Sequence, residues 1–133
     1  MAEQMENELL NQLENVLTNH PLKTSDAEPF PLLLDLFILI KENPSFCAAL
    51  LGNNGDIVFF NKLKLILREK CFNDWMELFN TNKVDKFEYF YNFIVSGSIG
   101  IIESWLKNGL KESPQEIAYI VGDIIINGAD IIK

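Results

Sequence analysis

Apolar residues recur at helical spacing along almost the whole chain, and no stretch alternates with period two for long enough to make a strand. That regularity points to an all-α domain, a bundle of about six helices joined by short loops. Glu3 to Thr18 sets Met5, Leu9, Leu10, Leu13, Val16 and Leu17 on one face, with Glu and Asn opposite. A second helix opens at Pro29 and Pro31, which suit a first turn, and runs to about Glu42. Its middle, LLLDLFILI, is apolar almost all round and is expected at the centre of the molecule. Asn43-Pro44 ends it, and a short helix from Ser45 to Leu51 closes on Gly52. After the turn Asn53-Asn54-Gly55, Asp56 caps a long helix to about Phe79, and Asp85 caps another to about Asn108. Gly109 fits the left-handed position just past that helix's end. Ser113-Pro114-Gln115-Glu116 then forms a capping box for a last helix reaching about Ile132.

Composition narrows the classes of function. A chain of 133 residues fits one domain, 1–133, with a core of its own. With 48% apolar and 23% charged residues it is globular rather than disordered. The net charge of −8 makes nucleic acid a poor direct partner, because binding requires phosphates to be neutralised. Lys62, Lys64, Arg68 and Lys70 are the only basic cluster, and on a helix they point at scattered angles. The apolar run from Pro31 to Ile40 is about half of a membrane span, so no membrane partner is expected. Cys47 and Cys71, without a signal peptide, fit a reducing cytoplasm.

A search for chemistry comes up nearly empty. The lone His20 cannot complete a metal site, and the cysteines match no metal-ligand spacing. No nucleophile has a base to activate it. Paired carboxylates such as Glu6 with Glu14 lie on polar faces. Asp35 interrupts a very apolar helix, either at an exposed edge near the helix start or aimed into a pocket. No catalytic residue, metal or cofactor is expected, and the chain is read as not an enzyme.

One helix does carry an unusual pattern. In FIVSGSIGIIESWLKNGL, Phe93, Gly97, Gly100 and Ser104 fall within about 60° on the helical wheel. Glycine in a helix interior costs about 1 kcal/mol against alanine, so the thin edge asks for a reason. A broad arc of Phe87, Phe90, Ile94, Ile101, Ile102 and Trp105 lies beside it. The last helix has Ile117, Val121, Ile124, Ile125, Gly128 and Ile132 on one face, with Tyr119 and Ile126 opposite. Apolar groups on both faces suggest cover from outside the domain, hence a helical-bundle dimer.

The run Phe93, Gly97, Gly100, Ile101, Ile102, Trp105, Leu106, Gly109, Ser113, Pro114, Glu116 and Ile117 resembles the C-terminal regulatory domain of TetR-type transcriptional regulators. The form it resembles is the one common in low-GC Gram-positive bacteria. Lys41-Glu42-Asn43-Pro44, Leu50-Leu51 and the Phe59 to Leu67 helix extend the likeness to roughly residues 30 to 130. Such regulators begin with a basic helix-turn-helix domain. None is visible here, so the chain is expected to be the regulatory half alone, contacting DNA only through that missing N-terminal domain.

The resemblance implies a homodimer built from the last two helices and their symmetry mates. Earlier helices would enclose a pocket for a small apolar effector, whose binding would shift the first helix. The pocket is expected between the Pro29 to Lys41, Asp56 to Phe79 and Asp85 to Asn108 helices, with Phe37, Phe59, Phe60, Leu63, Phe90 and Ile94 as candidate lining residues. Candidate dimer residues are Phe93, Gly97, Gly100, Ile101, Ser104, Trp105, Ile117, Tyr119, Val121 and Ile124. A helical interaction module without an effector is the alternative. A deep apolar cavity separates the two readings, since the module would have a fully packed core.

Overall fold

The most apolar stretch, LLLDLFILI, becomes the centre of the molecule. The computed structural model describes residues 2–19, 30–51, 57–78 and 84–128. Its helices are α1 (Ala2–Asn19), α2 (Phe30–Glu42), α3 (Pro44–Leu51), α4 (Ile57–Leu67), α5 (Asn73–Leu78), α6 (Val84–Lys107) and α7 (Pro114–Gly128). A π-helical segment, Arg68–Phe72, joins α4 to α5 without a break. Counting that continuous run once, the described residues form six helices and no strand. The all-α expectation holds. His20, Pro29, Asn53 to Asp56, Phe79 and Ile132 lie outside the described residues.

Helix α2 packs most extensively on α7 and also meets α1 and α3. Leu32, Leu33, Phe37 and Ile40 are its buried residues. The α2–α7 approach is close because small residues stand at the crossing. Ala118 and Gly122 are buried there, and a Cβ on Gly122 would sit 3.7 Å from Leu33 Cδ1. At the top of the same contact the Phe30 and Tyr119 rings stack at 4.2 Å.

The two turn signals close as their chemistry requires. Gly109 has φ 78° and Leu110 φ 57°. The Leu110 amide donates to the Trp105 carbonyl at 2.8 Å and the Gly109 amide to the Leu106 carbonyl at 3.2 Å, which is a Schellman motif. The Glu116 amide then donates to Ser113 Oγ at 3.1 Å, capping α7. Upstream, the Asn43 side-chain amide donates to the Leu39 carbonyl at 2.9 Å, so the residue between α2 and α3 satisfies the end of the helix it terminates.

Candidate functional site

Helix α6 is two-faced. At 100° per residue, Phe87, Tyr91, Ile94, Ser98, Ile102 and Trp105 point one way, while Tyr89, Phe93, Gly97, Gly100 and Ser104 point the other. The first stripe turns into the bundle and the second is exposed.

The inward stripe helps to enclose a cavity of about 120 Å³. Leu9, Leu13 and Leu17 of α1 form one wall. Leu32, Leu33, Leu36, Phe37, Leu39 and Ile40 of α2 form a second, with Cys47 of α3 beside them. Phe59, Leu63 and Leu67 of α4, Cys71 of the π-helical segment and Trp75 of α5 form a third. Tyr91, Ile94, Val95, Ser98, Ile99 and Ile102 of α6, with Ile125 of α7, complete it. Among the described residues, no Asp, Glu, Lys or Arg lines the space. An apolar void of about 150 Å³ stays dry and admits benzene, so this space suits a molecule of that scale.

Of the candidate pocket residues, Phe37, Phe59, Leu63 and Ile94 line the cavity, whereas Phe60 and Phe90 do not. Phe60 and Phe90 are half-buried and pack against the core from outside the void. Phe90 instead approaches α7, where its Cε1 would lie 3.1 Å from a Cβ on Gly128. Sequence reasoning missed the α1 leucines, Cys47, Cys71 and Tyr91. The signal for Tyr91 was present in the spacing Phe87, Tyr91, Ile94. Asp35 is half-buried and is not among the lining residues.

The π-helical segment sets the far end of this wall. A π-turn adds one residue to the helical repeat and re-aims the side chains around it. Here Cys71 and Phe72 are buried. Phe72 meets Phe87 at 5.0 Å and Tyr91 at 5.2 Å, both edge-on, and Trp75 meets Tyr91 at 5.9 Å. Arg68 caps the cluster from outside, its guanidinium 4.1 Å above the Phe72 ring and 3.0 Å from Glu88. Burial pushes the Cys47 thiol up to about 11. Burial, with a smaller contribution from Asp74, pushes Cys71 up to about 12. Both thiols therefore stay protonated and poorly reactive near neutral pH.

The outward stripe faces an open groove of about 300 Å³ lined by Gly97, Gly100, Ile101, Ser104, Trp105, Asn108, Glu112 and Ile117. A Cβ added at Gly97 or Gly100 would meet nothing within 4 Å. The glycines are therefore not required by packing inside this chain. Phe93, at 72% exposure, adjoins them, and Tyr119, Ile120, Ile124 and Ile126 of α7 are also exposed.

Among the candidate dimer residues, Phe93, Gly97, Gly100, Ser104, Tyr119 and Ile124 are exposed and Ile101 is half-buried. Trp105, Ile117 and Val121 are buried in the chain's own core, so they offer little surface to a second copy. Trp105 is held edge-on by Phe37 at 5.8 Å.

Among the described residues, no cluster of His, Cys, Asp and Glu could hold a metal ion, and no helix is long and apolar enough to cross a membrane. Residues 27–127 match a TetR-type family model described as a transcriptional regulator C-terminal region. Searches of curated proteins and of solved structures gave no match.

Proposed function

Since the chain belongs to this family of TetR-type transcriptional regulator C-terminal regions, we propose that it senses a small apolar effector and pairs with a second copy of itself. The observation that carries the reading is the cavity, enclosed by all seven helices and the π-helical segment, with α1 as one wall through Leu9, Leu13 and Leu17. A fully packed core would have favoured a plain interaction module.

A ligand in this void touches α1 directly. Filling the space presses on the leucines of α1 and favours whichever position of that helix accommodates the guest. In a full regulator, α1 passes the shift to a DNA-binding domain that precedes it. The chain's charge of −8 fits a part that acts on DNA at second hand. Two buried free thiols fit a reducing cytoplasm.

Pairing is supported by the outward stripe of α6. Gly97 and Gly100, where an added Cβ would meet no described neighbour within 4 Å, are flanked by exposed Phe93 and Ile124 and form a face on which two backbones can approach closely. A twofold axis sets such a patch against itself. The exposed side chains of α6 and α7 then meet their mates as four helices.

Amide hydrogen exchange tests the coupling. With saturating toluene as a probe, amides of α1 should change their exchange rate along with those of the cavity walls. Exchange in α1 that ignores toluene while the walls respond would show that the cavity does not reach α1.

A further inference from the structure

We propose that Tyr91 is the specificity-determining contact of the cavity, donating its O–H to a single oxygen of a small, neutral and otherwise hydrocarbon effector. The assignment rests on the effector reading and goes further, to the chemistry of the ligand.

Tyr91 lines the cavity and is 3% exposed. Its hydroxyl oxygen is buried and has no hydrogen-bond partner among the described residues. Its ring is fixed edge-on against Phe72 and Trp75. The polar end of a rigidly held side chain is thus left unsatisfied in a residue that lines an apolar void, closed to water until the wall yields to a guest. Such a group costs stability unless something pairs with it. A Phe would pack as well on the ring contacts alone, so the hydroxyl asks for a partner that the described residues do not supply.

The surroundings define that partner. Among the described residues no charged side chain lines the cavity, so a carboxylate or ammonium group there would meet no opposite charge among them. Burial, followed by repulsion from Cys71 ionisation, pushes the Tyr91 phenol above its ordinary range against a smaller opposing pull from Arg68, so it remains a neutral donor. A ligand that only donates would leave the phenolic hydrogen unpaired. A ketone, ether or ester oxygen pairs it. The remaining lining is mostly hydrocarbon and thiol, with the Ser98 hydroxyl and the Trp75 indole as its other polar groups, which keeps the rest of the ligand largely apolar. The void of about 120 Å³ limits it to roughly the size of a single ring.

The test uses two probes of one shape, cyclohexanone and methylenecyclohexane, which differ only in C=O against C=CH₂. Each is titrated calorimetrically into the full chain and into Tyr91→Phe. The variant removes an unpaired hydroxyl and keeps the ring, so it should fold with an unfolding midpoint at or above that of the parent. The expected result is that Tyr91→Phe weakens cyclohexanone by about 2- to 10-fold, the range of one net hydrogen bond, and leaves methylenecyclohexane unchanged or tighter. If methylenecyclohexane binds the parent chain and Tyr91→Phe alters neither affinity, the cavity reading stands and the Tyr91 assignment is overturned. If neither probe binds the parent chain, the cavity reading falls, and the assignment falls with it.

Discussion

The indole N–H of Trp105 donates to the carbonyl of Glu112 across 2.9 Å, spanning the turn that separates α6 from α7. The same tryptophan is 1% exposed and accepts the Leu110 amide on its own carbonyl. One residue thereby anchors the core, ends α6 and holds the approach to α7. Trp105→Phe keeps an aromatic ring but loses the N–H and some volume. The expected cost is about 2 to 3 kcal/mol, combining an orphaned carbonyl with a shrunken core side chain. Urea unfolding followed by circular dichroism reads it, and a change below about 0.5 kcal/mol would show that the bond is dispensable.

Ser113 caps α7 through the Glu116 amide. Ser113→Ala should destabilise by about 1 kcal/mol, and Ser113→Gly by only a few tenths. Equal costs for the two would mean that the hydroxyl is not what caps the helix.

How much of this was legible in the sequence follows from the kind of signal each feature carries. The Schellman turn at Gly109 and the serine cap at Ser113 depend on residues within a few positions, so both could be placed from the sequence. The centrality of α2 followed from an apolar surface all round. What could not be read was which side of a thickly apolar helix meets a void. Phe59 lines the cavity and its neighbour Phe60 does not, although the two are the same residue type in the same run. The π-helical segment was hidden for a related reason: one extra residue per turn leaves no mark on composition, yet it decides where Cys71 and Phe72 point. The partition of Phe93 outward and Trp105 inward likewise depends on where α7 and α2 settle, which is a tertiary fact.

Gly100 faces open space, so Gly100→Leu should leave the monomer intact and raise α6 propensity slightly. In a symmetric dimer the added side chain would force the backbones apart, at about 1 to 3 kcal/mol per site. Sedimentation at micromolar concentration should show a dimeric parent and a weakened variant. A monomeric parent, or a variant that pairs equally well, would remove the outward stripe of α6 from the interface.

Alkaline pH should destabilise the fold. Burial raises Cys47 from its ordinary value of 9.0 to about 11 and Cys71 from 9.0 to about 12. The raised values favour the protonated form in the folded chain. Their contribution is fully present below about pH 9, where the unfolded thiols are also protonated, and is lost as pH rises to about 11 to 12. Cys47→Ala, which cannot ionise, should show a flatter stability profile between about pH 9 and 11. An unchanged slope would mean that Cys47 does not drive the alkaline loss.

Toluene titrated into the full chain and into Cys47→Phe tests the central claim most directly. Cys47 is 1% exposed and lines the cavity, so a phenyl ring there occupies the space that the guest would take. The account predicts saturable binding of one toluene per parent chain, with an unfolding midpoint that rises with toluene concentration, and loss of both effects in Cys47→Phe. A parent chain that shows no saturable binding, or a Cys47→Phe chain that binds toluene as well as the parent, would contradict it.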